Sequence, residues 1–200
     1  MITQATYHEV TANTRWMINC IRNAKNVDLS NVLVFIAPTA GISALRGGNP
    51  AIYVRSNQMQ IAVSNWQREM QEYAQGHANE HIPHGRINKG TCIIASESIF
   101  TWPLSRRCGV LWHEYGHAYN EKVGRPNTEQ NAYLFEVEMF DYASTTNVFR
   151  DNGIGVGEVL DYLNWRQPYF DSGITPQLTQ LLGGLRAKLN VMSRHNFMAV

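Results

Sequence analysis

Val110-Leu111-Trp112-His113-Glu114-Tyr115-Gly116-His117-Ala118-Tyr119 contains the pattern H-E-x-x-H, and Glu114 is the one residue of the run charged at neutral pH. No proline interrupts it, so the run is expected to be helical. Positions four apart share a helix face, so His113 and His117 can offer ring nitrogens to a single ion. Glu114 lies about a quarter-turn around. From there its carboxylate can reach a water on that ion without binding the ion itself. Two imidazoles holding zinc, beside a carboxylate that accepts a proton from water, are the parts a zinc hydrolase requires. Gly116, next to the second histidine, lets a neighbouring element come close.

The rest of the composition excludes more than it selects. An apolar fraction of 44% and a charged fraction of 16% suit an ordinary globular protein. A formal charge of +1 gives no reason to expect nucleic acid or an anionic membrane as a partner. No apolar stretch approaches the roughly 18 residues of a membrane span. Cys20, Cys92 and Cys108 are odd in number and lie in apolar surroundings, so free buried thiols are expected rather than a disulfide framework. Met1-Ile2-Thr3-Gln4-Ala5-Thr6-Tyr7 lacks a basic start and an apolar core. A Sec-type signal is therefore not expected, and the cytoplasm is the default, with export by a dedicated secretion machine as the alternative.

Along the chain, Val10, Trp16, Met17 and Ile21 predict a helix over residues 5–25. Residues 32–37, 51–55 and 91–95 read as three short strands. Ala62, Trp66, Met70 and Tyr73 predict an amphipathic helix over 59–75. The polar segment 76–90 holds His77, His81 and His84, which read as solvated loop residues rather than a separate metal site. Ser105 is a candidate N-cap for the histidine helix, which should stop near Gly124 and Pro126. A second helix is expected from Thr128 to about Phe149, a short one over 156–165, and an irregular segment over 166–170. A last helix capped by Thr175 carries Leu178, Leu181, Leu182, Leu185 and Leu189 on one stripe. The fold class expected is α+β in one domain: a helix/sheet lobe over residues 1–104 and a helical metal-binding lobe over 105–200.

A hydrolytic zinc usually takes three protein ligands. Asn120 and Val123 stand where a third histidine motif would need Gly and His. A carboxylate further on is therefore expected. Helical phase puts Glu136 with Ala132, Met139, Phe140 and Ala143 on the packed face, where an unpaired carboxylate would cost several kcal/mol. Glu138 falls on the solvated side. If the second helix returns alongside the first, about eight residues bring it level with the histidines, which again selects Glu136. Glu129, seven residues earlier on the same face, is the competing candidate. The one not used as a ligand is expected to hold His113 or His117 from behind.

The Val110–Tyr119 run resembles the extended zinc-binding consensus of zincin metallopeptidases. The 18 residues between His117 and Glu136 are similar to the spacing of gluzincin aminopeptidases. Glu129-x-x-Ala132-x-x-x-Glu136 also resembles metallopeptidase toxin domains of bacterial secretion-spike and Rhs-type proteins, although Val137 stands where those usually have Asn. The resemblance implies a zincin-like fold, a small mixed sheet packed on helices, with an exposed edge strand that pairs with a peptide or protein substrate. It implies peptide-bond hydrolysis with one zinc ion on His113, His117 and Glu136, and Glu114 as general base. A secreted effector with a cognate immunity or inhibitor protein is a further implication; an intracellular processing peptidase is its rival. For the oxyanion-stabilising group the candidates are Tyr169, Tyr133, His195 and Arg166, with Tyr169 preferred. A non-catalytic zinc-holding or metal-free binding module is the reading from a different class.

Overall fold

Three short apolar runs form a mixed sheet in the computed structural model, which describes residues 4–39, 45, 48–55, 68–69, 72, 75–76 and 91–197. Strands β1 (Leu33–Ala37), β2 (Ala51–Val54) and β3 (Cys92–Ser96) lie in the order β1-β3-β2. β1 runs parallel to β3 with Phe35 opposite Ile94, and β2 runs antiparallel to it with Tyr53 opposite Ile93. Every residue of β3 is buried, as a central strand covered on both faces requires. All three predicted strands are present. The predicted helix over 59–75 and the histidine segment 76–90 lie almost entirely outside the described residues.

Six α-helices accompany the sheet among the described residues: α1 (Gln4–Lys25), α2 (Leu104–Lys122), α3 (Glu129–Thr145), α4 (Val148–Asp151), α5 (Val156–Ser172) and α6 (Pro176–Phe197). A 3₁₀ helix, Glu97–Thr101, joins β3 to α2. The histidine helix α2 is the core of the molecule. Every residue from Arg107 to Gly116 is buried, the mark of a helix packed on all sides. Trp112 meets Trp16 of α1, Phe140 of α3 and Phe149 of α4 at ring-centroid distances of 5.7, 5.3 and 5.7 Å. One apolar cluster thus joins Met17 and Ile21 of α1 and Ile93 of β3 to Leu182 and Leu189 of α6.

Two glycines of α2 set how closely its neighbours approach. A Cβ at Gly116 would lie 3.1 Å from the Ala132 Cα and from the Phe135 Cβ, so α3 crosses α2 here. At Gly109 it would lie 2.1 Å from the Tyr162 ring of α5. No helix is long and apolar enough to cross a membrane among the described residues.

Several helix limits differ from the expectation. α2 starts at Leu104, and Ser105 is not its cap; the Ser105 N–H donates instead to Glu158 of α5 at 2.8 Å. A carboxylate from another element here does what an N-cap side chain would do. α3 ends at Thr145 rather than near Phe149. Thr145 and Thr146 turn their hydroxyls back onto the Asp141 and Tyr142 carbonyls, and Asn147 takes a left-handed φ of 62°, which asparagine tolerates. α5 continues through Pro168 to Ser172, where an irregular segment was expected. Proline removes one rung of the ladder, but Arg186 of α6 clamps that turn, donating to the Leu163 carbonyl at 3.1 Å and the Asn164 side chain at 2.7 Å. Thr128 and Thr175 cap α3 and α6 as predicted, and all three cysteines are free and buried.

Candidate metal centre

The chemistry of the H-E-x-x-H run depends on what α3 places opposite it. α2 closes with a Schellman turn: the Arg125 N–H reaches the Asn120 carbonyl at 2.8 Å, the Gly124 N–H reaches that of Glu121 at 3.3 Å, and Gly124 has φ 69°. This turn folds the connection back along the last turn of α2. Asn127 is then already beside His117, its Oδ1 accepting from Nδ1 at 2.6 Å. α3 therefore begins level with the histidines.

Glu129, the first residue of α3, faces both rings. Its Oε2 lies 3.0 Å from His113 Nε2 and its Oε1 lies 3.4 Å from His117 Nε2. One donor atom each from His113, His117 and Glu129 falls within 4.8 Å of the others, a group that could hold a metal ion. The group differs from the expected one of His113, His117 and Glu136 in its third residue. Glu136 lies behind His113 instead: its Oε2 is 3.2 Å from Nδ1, with a bent approach, and its carboxylate is fully buried. It is satisfied by the Tyr162 hydroxyl and by Arg166, 3.4 Å away. The phase argument placed Glu136 inward correctly. Its partners are an arginine and a tyrosine from α5, which sequence distance hides.

Burial alone would push the Glu136 carboxyl up, but Arg166, His113 and Tyr162 outweigh it and hold it below its ordinary value. Burial also pulls His113 down; the carboxylates of Glu129 and Glu136 reverse this and raise it to about 9. Glu129 is held well below the usual carboxylate range by its bonds to both histidines. Glu114 is raised by its burial, against the pull of the two histidines and a hydrogen bond from the Tyr53 backbone amide. Its neighbour from the sheet is thus the edge strand β2. The Tyr53 ring stacks on His117 with centroids 6.4 Å apart, and its hydroxyl bonds Glu121 at 2.9 Å.

These residues open into one cavity of about 500 Å³ lined by β2, α2, the start of α3 and α5. His113, Glu114, His117 and Glu129 all border it, whereas Glu136 does not. Of the predicted electrophiles, Tyr133, Arg166 and Tyr169 all line it. The Tyr133 hydroxyl meets Ser172, and the Arg166 guanidinium, which donates to Glu136 at 3.4 Å, lies 5.4 and 4.6 Å from the centroids of the Tyr133 and Tyr169 rings. The His195 side chain is outside the described residues. Sequence reasoning missed Asn127, Tyr53 and Tyr162 as parts of the site, since a turn residue, a strand residue and a helix residue carry no spacing signal.

The donor set could hold a metal ion. With bonds of about 2.0–2.1 Å, donors around a tetrahedral ion stand roughly 3.4 Å apart, close to the 3.0 and 3.4 Å between Glu129 and the two rings. Asn127 Oδ1 accepts from His117 Nδ1, which fixes that ring's tautomer and turns its Nε2 toward the shared point, whereas Glu136 lies 3.2 Å from His113 Nδ1 without hydrogen-bond geometry. Without a cation, the same contacts are those of protonated imidazole paired with carboxylate. The chain matches no protein-family profile, no curated protein and no solved structure.

Proposed function

We propose that the chain is a zinc metallopeptidase, with His113, His117 and Glu129 as the ligands and Glu114 as general base. The observation that supports this most is the convergence of three donor atoms at the mouth of a cavity that also exposes a burial-raised carboxylate. When bound, zinc supplies a Lewis acid that brings the pKa of water toward neutrality and polarises a carbonyl.

The chain's own groups supply the remainder. Burial raises the proton affinity of Glu114, which suits a base that takes a proton from water and passes it to a leaving amine. The Tyr53 amide holds that carboxylate in place, and Ala51, Ile52 and Tyr53 of the edge strand β2 line the cavity. An extended peptide can lie along such an edge by strand addition. Tyr169, half-exposed and lining the same cavity, would donate a hydrogen bond to a developing oxyanion. Glu136 and Asn127 orient the two imidazoles, and Glu136 is in turn held by Arg166 and Tyr162.

Elemental analysis of protein purified without chelator, followed by digestion of a mixed peptide library, tests the proposal. Glu114→Gln is expected to retain zinc and lose hydrolysis. A chain that binds no zinc, or one whose hydrolysis survives Glu114→Gln, refutes it.

A further inference from the structure

Phe149 packs on Trp112 and Phe140 with ring centroids 5.7 and 5.2 Å away. It also lines a second cavity of about 300 Å³, where the end of α3, the short helix α4, the start of α5 and the later part of α6 meet. This cavity shares no lining residue with the one around the histidines. Its walls are hydrocarbon, from Phe149, Ile154, Val159, Leu189 and Met192. A space of this size lies at the lower end of small-molecule sites, roughly 300–1,000 Å³, and a core packed to ordinary density would not leave it.

Three polar features border these walls. Ser144 lines the cavity and is 6% exposed, and its hydroxyl has no hydrogen-bond partner among the described residues. Thr145 and Thr146 bond back onto carbonyls one turn earlier, but Ser144 does not, and an unpaired buried hydroxyl is costly. α5 starts beside the cavity at Gly155 and Val156, and no side chain caps it. The acid of its first turn, Glu158, is committed to the Ser105 N–H of α2 at 2.8 Å. The first N–H groups of this 17-residue helix therefore have no side-chain acceptor, the state in which a helix start takes an anion. Arg150 is the third feature. Its Nε lies 3.6 Å from Asp151, but both side chains are largely exposed, so solvent screens that pair and the guanidinium can turn to another anion.

Donors without acceptors beside hydrocarbon walls select one kind of guest. A cation would meet Arg150 and the positive end of α5, and a plain hydrocarbon would leave the Ser144 hydroxyl unpaired. We infer that this cavity is a binding site for a small carboxylic acid with a hydrocarbon tail. The tail lies against Phe149, Val159 and Leu189, and the ionised carboxylate accepts from Ser144, Arg150 and the first turn of α5. The site needs neither zinc nor turnover, so it stands apart from the peptidase reading.

Calorimetric titration of the full chain with octanoate, octanol and octylammonium decides it. Octanoate should bind saturably, and the alcohol and the ammonium at least about tenfold more weakly, because each lacks the charge-assisted hydrogen bonds of a carboxylate. Arg150→Gln should weaken octanoate by about tenfold and leave octanol unchanged. Ser144→Ala should also weaken octanoate, while the ligand-free Tm stays level or rises, because the hydroxyl gives up no bond in the free protein. No saturable binding, equal affinity for octanoate and octanol, or octanoate binding that both variants leave unchanged overturns the site. A lower ligand-free Tm in Ser144→Ala would show a hydroxyl already bonded through water and overturn the role given to it.

Discussion

Replacing Glu136 and Glu129 separately distinguishes a carboxylate that holds structure from one that holds metal. Glu136 is 0% exposed and Arg166 is 6% exposed, so Glu136→Ala strands a buried guanidinium and removes the acceptor of the Tyr162 hydroxyl. Breaking such a pair costs about 3–5 kcal/mol. For a chain of this size each kcal/mol lowers Tm by about 2–4 °C, which predicts a fall of roughly 6–20 °C in chelator-treated protein. Zinc should still bind, about 10–100-fold more weakly, because His113 loses its rear support but no ligand is removed. The Glu129 side chain is 62% exposed. Glu129→Ala should therefore lower the metal-free Tm less than Glu136→Ala does, since its carboxylate is screened by solvent although the His113 and His117 side chains are only 7% and 13% exposed. Its zinc affinity should drop much further than that of Glu136→Ala. Thermal denaturation in chelator and zinc competition against a chromophoric chelator measure both. If Glu136→Ala abolishes zinc binding while Glu129→Ala binds like wild type, the ligand assignment is refuted. An unchanged Tm in Glu136→Ala would refute the account of the buried network.

Three further outcomes follow from the packing and the site. Gly109→Ala should lower stability by about 3 kcal/mol, because its Cβ would sit 2.1 Å from a Tyr162 ring that is stacked on Phe140 at 4.5 Å and cannot swing away; an unchanged melting curve would contradict this. Asn127→Ala should weaken zinc about 10–100-fold with little effect on metal-free stability, because Asn127 supports only the His117 ring; equal affinity would show that the ring needs no such support. Burial raises the Cys20 thiol to about 11 and the Cys92 thiol to about 12, and pushes Cys108 up as well. A thiol raised this far carries almost no reactive thiolate at pH 8. All three should react with a chromogenic disulfide only as the chain unfolds, and labelling of any one at the rate of a free peptide thiol would show an opening the fold does not have.

The sheet and the helix faces were legible from local pattern. Val32–Ala37 and Cys92–Ala95 are continuous apolar runs and both form strands, although only β3 is buried throughout and Leu33 of the edge strand β1 is exposed; the stripe Ala132–Glu136–Phe140–Ala143 is wholly buried as its phase required. Glu138, placed on the solvated side, instead pairs with Lys25 of α1 at 2.5 Å, a partner 113 residues away. The end of α3 and the continuation of α5 through Pro168 were misjudged for a similar reason. Threonine back-bonding ended one helix early, and Arg186 from another helix sustained the other.

Residues in a helix of known period determine their own phase, so the chain by itself dictated that His113 and His117 share a face, that Glu114 stands beside them, and that Glu136 points inward. Which carboxylate meets the ring nitrogens was decided only when α3 docked. That depends on the Schellman turn at Gly124 carrying the chain back along α2, and on α5 bringing Tyr162 and Arg166 to satisfy Glu136. A buried charge needs some partner, a requirement visible in one dimension; the identity of that partner is a property of three.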